Sequence, residues 1–139
     1  MLPPQIRLPV KANAAHVSLG SKPIEAFGTE AQKEKWLGTI AEGNSLVAYA
    51  VTEAGAGSNL AALKTKAEPV FDDDGRITGY RINGTKQFIS TGGYADFITL
   101  LAKTPEGPSF FIVEKGTHEE LMAHDGLYRY LNEVQQLQQ

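Results

Sequence analysis

A buried strand that runs directly into a glycine-rich loop constrains this chain most. Residues 46–51 form a run of apolar, β-branched and aromatic side chains, which is typical of a buried β-strand. Gly55 and Gly57 follow, and glycine lets a backbone turn sharply and approach a ligand without a Cβ in the way. Thr52 and Ser58 place hydroxyl groups at the two ends of the loop. The stretch therefore predicts either a ligand-binding loop or an ordinary turn whose glycines supply positive φ.

Composition excludes several classes of function. At 139 residues, with 42% hydrophobic and 21% charged residues, the chain is long enough for one core and has the balance of a globular protein. A formal net charge of −3 argues against a nucleic-acid partner bound through bulk electrostatics. Because cysteine is absent, thiolate catalysis, thiolate metal ligands and disulfides are excluded. The histidines, His16, His118 and His124, are too dispersed to suggest a metal site.

Membrane and secretion signals are missing from the sequence. No apolar run approaches the roughly 20 residues that a membrane-spanning helix needs. The amino end lacks the apolar core and small-residue cleavage site of a signal peptide. We therefore expect a soluble, intracellular protein, located in the cytoplasm or, in a eukaryote, in the mitochondrial matrix.

Helix signals dominate the first third of the chain. Pro23 suits the first turn of a short helix. Thr29 and Gln32 have the spacing of a capping box, in which each side chain accepts a hydrogen bond from the other residue's backbone N–H. Trp36 falls on the apolar face of the helix that follows, so we expect it in the core rather than in a binding site. These patterns predict a helical segment over residues 1–45.

From residue 46 the pattern changes from helical to alternating. Residues 72–75 form a polar turn that ends in Asp-Gly and predict one hairpin. Asn83-Gly84 is the strongest two-residue type I′ turn signal in the chain and predicts a second hairpin. The strands predicted on this basis cover residues 63–71, 76–82, 85–90, 97–103 and 109–114.

The close spacing of these turns favours a small antiparallel β-barrel or sandwich over residues 46–116. After Thr117 leucines recur at partly helical spacing, so residues 117–139 are predicted to form a helical tail that is interrupted near Asp125-Gly126. The predicted fold class is therefore α+β, with short N-terminal helices, an antiparallel β-domain and a C-terminal helical tail.

Two polar, glycine-containing segments follow predicted strands, one that ends at Ser58 and one at residues 88–93. In a small barrel the two could meet at one rim and bind a flat ligand with polar edges. A Rossmann dinucleotide site is the competing interpretation, because Gly55-Ala56-Gly57 follows a strand. It fails because Leu60 stands where the third glycine is needed and no long parallel βαβ unit follows.

Several segments resemble the acyl-CoA dehydrogenase family. Residues 49–59 (YAVTEAGAGSN), 63–65 (LKT) and 82–93 (INGTKQFISTGG) are similar to its middle β-domain. Residues 18–24 (SLGSKPI) and 27–33 (FGTEAQK) are similar to the end of its amino-terminal helical domain. The resemblance implies an FAD site and oxidation of an acyl-CoA between Cα and Cβ by proton abstraction and hydride transfer. It also implies acyl-CoA as the substrate and a homo-oligomer.

The resemblance implies ligand-binding roles for residues of the glycine-rich loop. Tyr49, Val51 and Thr52 would face the isoalloxazine ring, with Thr52 hydrogen-bonding its pyrimidine edge. Such bonds stabilise negative charge on a reduced flavin. Gly57 and Ser58 would lie where flavin and acyl-CoA approach each other, and Ser58 would donate its hydroxyl to the substrate.

The second segment has implied roles as well. Phe88 would cover the flavin face, Ile89 would offer backbone groups, and Ser90 would hydrogen-bond near the reactive ring nitrogen. Without the resemblance, core packing would be the preferred interpretation of Phe88 and a turn hydroxyl that of Ser90. The family often has tryptophan at Phe88, threonine at Ser90, proline at Ala54 and aspartate at Asn59, and phenylalanine offers less area for stacking than tryptophan.

By the same resemblance, the catalytic base lies in a carboxy-terminal helical domain that this sequence ends before reaching. Glu53, Glu114, Glu119 and Glu120 do not match the base position, and all four are expected to be exposed. No catalytic residue is therefore assigned, and the isolated chain is expected to be inactive. A non-catalytic binding or interaction module built on the β-domain is the alternative function.

The tail carries a second resemblance. Residues 113–121 and 126–128 resemble the extreme carboxy terminus of ATP-binding-cassette exporter subunits. No phosphate-binding Gly-x-x-x-x-Gly-Lys-Ser/Thr loop occurs in the chain, so no ATPase function is expected. A fusion, a frameshift product and a chance likeness are all open interpretations of the tail from about Thr117.

Overall fold

The computed structural model describes residues 19–114 and 116–123. Its first part is helical and consists of α1 (Lys22–Phe27), α2 (Glu30–Gln32), a π-helical turn (Lys33–Leu37) and α3 (Gly38–Ala41). The strands are β1 (Val47–Ala50), β2 (Lys66–Phe71), β3 (Ile77–Asn83), β4 (Phe97–Thr104) and β5 (Gly107–Glu114). A short 3₁₀ helix (Leu60–Ala62) lies between β1 and β2, and α4 (His118–Ala123) follows β5. None of the helices in this part of the chain has the length and apolar character needed to cross a membrane.

The helix boundaries lie where the sequence predicts them. Thr29 Oγ1 accepts a hydrogen bond from the Gln32 N–H at 3.2 Å, and Gln32 Oε1 accepts one from the Thr29 N–H at 2.9 Å, so the capping box is complete. Pro23 occupies the first turn of α1. The N–H of Gly28 donates to Ile24 O, and a Cβ on Gly28 would crowd that same oxygen. Helix α1 therefore ends where the Gly28 backbone packs closely against Ile24 O, and α2 begins at the Thr29 cap.

Strand β4 is the centre of the sheet. It pairs with β5 in antiparallel fashion along its whole length. On its other edge, β1 runs parallel to its first half, with Val47 opposite Phe97. Strand β2 continues along that same edge, also parallel, with Lys66 opposite Lys103, and β3 pairs with β2 in antiparallel fashion. The sheet is therefore mixed, and its strands follow an open path within the described residues.

The expectation of an entirely antiparallel β-domain is wrong. Strands β1 and β4 can run in the same direction because the connection between them is long. It includes the β2–β3 hairpin and carries the chain back to the end of the sheet at which β1 begins. Closure of the sheet into a barrel or sandwich is not seen in the described part of the chain and stays a prediction. The α+β class, with helices preceding a sheet, agrees with the structure.

The second predicted hairpin does not form. Strand β3 ends at Asn83, and residues 84–96 contain no strand. Gly84 lies directly against Thr65, and a Cβ there would overlap the Thr65 hydroxyl. Beyond Gly84 the chain crosses to the segment after β1, where the Gln87 N–H donates to Thr52 O at 2.9 Å. A close tertiary contact has therefore overridden the local turn preference of Asn83-Gly84.

The first predicted hairpin does form, between β2 and β3. Asp72 Oδ1 accepts hydrogen bonds from the N–H groups of Asp74 at 3.0 Å and Arg76 at 2.8 Å. Gly75 has a φ of 77°, which glycine adopts at little cost. All of these contacts are local, so the sequence of the turn is sufficient to specify it.

The core lies between the helices and one face of the sheet. Val47 and Phe97 are almost fully buried and pack with Ile24 of α1. The Trp36 ring covers this cluster, with its centroid 4.7 Å from that of Phe97, as predicted for a core residue. A second cluster is formed by Val51, Leu63 and Leu101. The alternating apolar side chains of β1 and β4 thus build the layer on which the helices pack.

The predicted tail begins with a helix cap. The Thr117 N–H donates to Glu120 Oε2 at 2.8 Å, and the Glu120 N–H donates to Thr117 Oγ1 at 3.3 Å, at the start of α4. The second helical piece, expected after Asp125-Gly126, lies outside the described residues, as do His16 and His124. The helical tail as a whole stays a prediction.

Candidate functional site

The chain makes a tight turn directly after β1. The Glu53 N–H donates to Ala56 O and the Ala56 N–H donates to Glu53 O, both at 3.1 Å. Neither Gly55 nor Gly57 has a positive φ, and a Cβ on either would meet nothing within 4 Å. The interpretation as a turn that needs glycine for positive φ is therefore wrong. The glycine loop (residues 52–58) instead leaves open space beside its backbone.

Glu53 anchors the glycine loop from inside the protein. Its side chain is 5% exposed, so the expectation of an exposed carboxylate is wrong for this residue. Its Oε2 accepts a hydrogen bond from the Lys64 N–H at 2.6 Å, and its Oε1 accepts from both the N–H and the hydroxyl of Thr65. Lys86 Nζ donates to the same Oε1 at 2.9 Å, and the Lys86 side chain is 8% exposed. Burial of this charge is possible because donors surround it.

Those donors decide the ionisation of Glu53. Desolvation alone would raise the pKa of the carboxyl group, but the hydrogen bonds from Lys86, Thr65 and Lys64 outweigh it and lower the pKa to about 2. Glu53 is therefore ionised at neutral pH and its oxygens are already engaged. Since so weak a base accepts protons poorly, Glu53 is unsuited to general-base catalysis.

Lys86 and Gln87 bring a second segment against the start of the glycine loop. Besides its bond to Glu53, Lys86 Nζ donates to Val51 O at 3.0 Å. The next residue, Gln87, donates its N–H to Thr52 O at 2.9 Å. Residues 88–90, called here the aromatic segment, therefore start beside the glycine loop. This agrees with the expectation that the two candidate segments lie near one another.

The aromatic segment combines strained backbone with exposed side chains. Phe88 has a φ of 58°, in the left-handed region, which is uncommon for a bulky residue and costs roughly 1–2 kcal/mol. Its ring is 85% exposed, so the interpretation of Phe88 as core packing is wrong. Ser90 is also exposed, and Ile89 is half-buried. Strained backbone conformations cluster at functional sites, which makes this segment a candidate.

The other candidate residues differ in what they can offer a ligand. Val51 is buried in the second core cluster, so its side chain is not available, and its carbonyl oxygen already accepts a hydrogen bond from Lys86 Nζ. Tyr49 is half-buried, and its ring centroid lies 6.0 Å from that of Phe110. Within the described residues, no hydrogen bond is made by the hydroxyls of Thr52, Ser58 and Ser90.

An apolar groove of about 260 Å³ lies between α1 and the sheet, lined by residues such as Phe27, Trp36 and Phe110. The ring of Phe27 is 77% exposed and is stacked 6.4 Å from that of Phe110. Phe110 also contacts Tyr49, so the groove adjoins the candidate residues through that pair of rings.

Family models cover most of the chain. The model of the acyl-CoA dehydrogenase middle domain matches residues 48–127, and that of the acyl-CoA dehydrogenase N-terminal domain matches residues 6–44. The chain belongs to the acyl-CoA dehydrogenase family. The middle-domain match of this acyl-CoA dehydrogenase homologue runs past Thr117 into the segment that also resembles exporter subunits.

Individual acyl-CoA dehydrogenases resemble the chain over the same region. The mitochondrial very long-chain specific acyl-CoA dehydrogenase of Macaca fascicularis is 43% identical over 112 residues, which are 73% of this chain and 16% of the relative. The short-chain specific acyl-CoA dehydrogenase of Megasphaera elsdenii is 43% identical over 109 residues, or 75% of this chain and 27% of the relative. A solved acyl-CoA dehydrogenase from Bacillus anthracis, complexed with FAD, matches with a TM-score of 0.68 and 42% identity, over 78% of this chain and 18% of that one. This family member thus spans well under a third of the relatives it matches.

Sequence reasoning missed Glu53, Thr65 and Lys86 as parts of the site. All three lie inside the segments that resemble the middle domain; Glu53 follows Thr52 directly and Lys86 precedes Phe88 by two positions, whereas Thr65 lies in the separate segment 63–65. The signal that could have revealed the pair is that Glu53 and Lys86 carry opposite charges, within motifs that consist mainly of apolar, hydroxyl-bearing and glycine residues.

Proposed function

We propose that this chain forms part of the flavin and acyl-CoA site of an FAD-dependent acyl-CoA dehydrogenase. The observation that carries the proposal is the hydrogen bond from the Gln87 N–H to Thr52 O, which sets the glycine loop beside the aromatic segment in a chain of this family. The whole enzyme would oxidise an acyl-CoA thioester between Cα and Cβ.

The chemical groups that the two segments expose match those of a flavin. A flavin presents a flat aromatic face and a polar edge, and the two segments offer an exposed ring and free hydroxyls. Phe88 would cover the face, while Thr52 and Ser90 would hydrogen-bond the edge and the reactive ring nitrogen, because their hydroxyls have no other partner in the described residues. When bound, FAD supplies the acceptor for the hydride that leaves the substrate β-carbon.

The remaining candidates complete the site. Gly57 leaves room for flavin and acyl-CoA to approach the backbone, and Ser58 donates its exposed hydroxyl to the substrate. Tyr49 contributes part of its ring, whereas Val51 and Ile89 act through their backbone N–H groups, because their side chains are buried or half-buried and their carbonyl oxygens already accept hydrogen bonds.

The α-proton needs a base, and none of the four glutamates considered from the sequence is assigned that role. Glu53 is locked in its hydrogen bonds, Glu119 and Glu120 are exposed in the first turn of α4, and Glu114 ends β5 half-buried. We therefore expect the isolated chain to bind FAD weakly and not to turn over. A positioned base typically contributes about 10² to 10⁴ in rate.

The proposal extends to organisation and context. Residues 1–45 would be the end of the helical domain, residues 46–116 the β-domain, and residues 117–139 a helical tail. In the whole enzyme the β-domain would close further toward a barrel or sandwich. A homo-oligomer and an intracellular location, in the cytoplasm or the mitochondrial matrix, complete the proposed setting.

Titration with FAD tests the proposal. We expect saturable quenching of flavin fluorescence by the purified chain, weakened in Thr52→Ala and in Ser90→Ala. Thr78→Ala removes an exposed hydroxyl on the β2–β3 hairpin and should leave the titration unchanged. Anaerobic addition of acyl-CoAs should not bleach the flavin absorbance. Absence of any flavin binding would favour the non-catalytic interaction module instead.

A further inference from the structure

A buried ion pair joins the two segments of the proposed site. Lys86 Nζ lies 2.9 Å from Glu53 Oε1, and the two side chains are only 8% and 5% exposed. By contrast, Lys33 and Glu30 form an ion pair three residues apart on one helix, with the Glu30 side chain 91% exposed. The Glu53–Lys86 pair instead connects residues that are 33 positions apart and lie on different loops.

Stretches of chain from three places meet at the Glu53 carboxylate. Glu53 itself comes from the glycine loop, Lys64 and Thr65 come from the entry to β2, and Lys86 comes from the segment after β3. Gly84 allows the third stretch to pass close to the second, because a Cβ there would overlap Thr65. The groups that the carboxylate contacts therefore come from two other stretches of the chain, three from Lys64 and Thr65 and one from Lys86.

We propose that Glu53 and Lys86 are positioning residues, which hold the glycine loop and the aromatic segment at one fixed separation before a ligand arrives. Glu53 is the neighbour of Thr52, and Lys86 precedes Phe88 by two positions. Buried ion pairs contribute little net stability, since desolvation offsets their attraction, and fixing a geometry is the role that fits such a pair here. The role in flavin binding rests on the proposed function; the role in loop placement does not.

Removing one charge of the pair, or both together, distinguishes a role in loop positioning from a role in stability. Lys86→Met leaves the Glu53 carboxylate buried without its counter-ion, whereas Glu53→Gln combined with Lys86→Met leaves no unpaired charge. We expect the single variant to lose thermal stability and the double variant to regain most of it. Lys33→Met breaks the exposed pair and should change neither stability nor loop exchange. A double variant that fails to fold while Lys86→Arg folds would overturn the proposal.

Amide hydrogen exchange gives the decisive readout. In the double variant, the Gln87 amide, which donates to Thr52 O, should exchange at least about tenfold faster relative to the β4–β5 amides. Lys86→Arg keeps the charge and should retain slow exchange at Gln87. If Gln87 and the β4–β5 amides change together in the double variant, the pair serves stability alone and the proposal fails.

Titration of the same proteins with FAD distinguishes this inference from the proposed function. We expect the double variant to bind FAD several-fold more weakly than the wild type at nearly unchanged melting temperature. If the wild type binds no FAD while Gln87 loses protection as expected, the proposed function fails and the positioning of the loops stands. Equal affinities in wild type and double variant would overturn the role in flavin binding.

Discussion

The two ends of strand β1 are held by opposite kinds of chemistry. At its start, the Val47 side chain packs against Phe97 and Ile24 in a cluster of apolar side chains. Just past its end, Glu53 is equally buried but is held by hydrogen bonds and by its ion pair with Lys86. Apolar packing is non-directional and mainly supplies stability, whereas a buried polar network depends on the placement of every donor. The residues proposed to bind ligand lie at the polar end.

The largest effect on stability is expected at the apolar end of β1. Phe97→Ala empties the centre of the first cluster, where the ring is 1% exposed and contacts Trp36. We expect it to lower the free energy of unfolding by about 3–5 kcal/mol, measured by urea denaturation. Phe71→Ala, at a position 56% exposed on β2, is the control and should cost far less. Equal losses would contradict the placement of the core.

The next effect is a dependence of stability on pH at the polar end. The pKa of Glu53 is about 2 in the folded protein against an ordinary 4.5. Its contribution to stability is fully present above about pH 4.5 and is lost as the pH falls toward 2, because the unfolded chain takes up the proton first. One such group changes the free energy of unfolding by up to about 1.4 kcal/mol per pH unit.

Urea midpoints measured across this range check the prediction. Glu53→Gln removes the titrating group, so its stability should vary less with pH than that of the wild type. Exposed carboxylates contribute to both profiles and cancel in the comparison. Identical slopes in the two proteins would show that Glu53 does not carry a lowered pKa.

Two glycine substitutions, one at a crowded position and one at an open position, test effects of intermediate size on stability. Gly84→Ala would place a Cβ onto Thr65 and should destabilise the fold by about 1–3 kcal/mol. Gly55→Ala meets open space and should change the free energy of unfolding by less than about 0.5 kcal/mol. Thermal denaturation distinguishes the two. Equal losses would mean that the chain does not pass Thr65 as closely as described.

Substitution of Phe88 has the smallest expected effect, and it should change stability and FAD binding in opposite directions. Phe88→Asn places a residue that tolerates positive φ at a strained, 85% exposed position, and should raise the free energy of unfolding by up to about 1 kcal/mol. The same change should weaken FAD binding, because the ring is lost. Tyr94→Asn, at a 79% exposed residue without positive φ, is the control and should not stabilise. A stability loss in Phe88→Asn would argue against strain at this position.

Local chemistry explains which parts of the fold were predictable. The capping box at Thr29 and the turn at residues 72–75 use contacts within a few residues, and both formed as predicted. The parallel pairing of β1 with β4 was not predictable, because Val47 and its partner Phe97 are far apart in sequence. At Asn83-Gly84 the local signal pointed to a hairpin, but the contact with Thr65 decided the outcome.

The sequence suggested candidate ligand-binding residues, which stay a prediction, but it did not reveal the buried residues that support them. Glycine spacing, hydroxyls and the family resemblance pointed to the glycine loop and the aromatic segment. Glu53 and Lys86 were overlooked as supports because charged residues are rarely buried unless they are paired, and a pairing across loops leaves no local pattern. Only the fold reveals that several donors surround Glu53.

The shared edge of β4 has an evolutionary consequence. Ala50 lies opposite Leu100 and Lys66 lies opposite Lys103, so the chain leaves and rejoins the same edge at points roughly 10 Å apart along an extended strand. Within residues 51–65, Val51 and Leu63 belong to the core and Glu53 and Thr65 to the buried network, whereas residues 57–61 are exposed. Insertions at residues 57–61 would leave both strands in register and the network in place, so new ligand chemistry could be acquired there without rebuilding the scaffold.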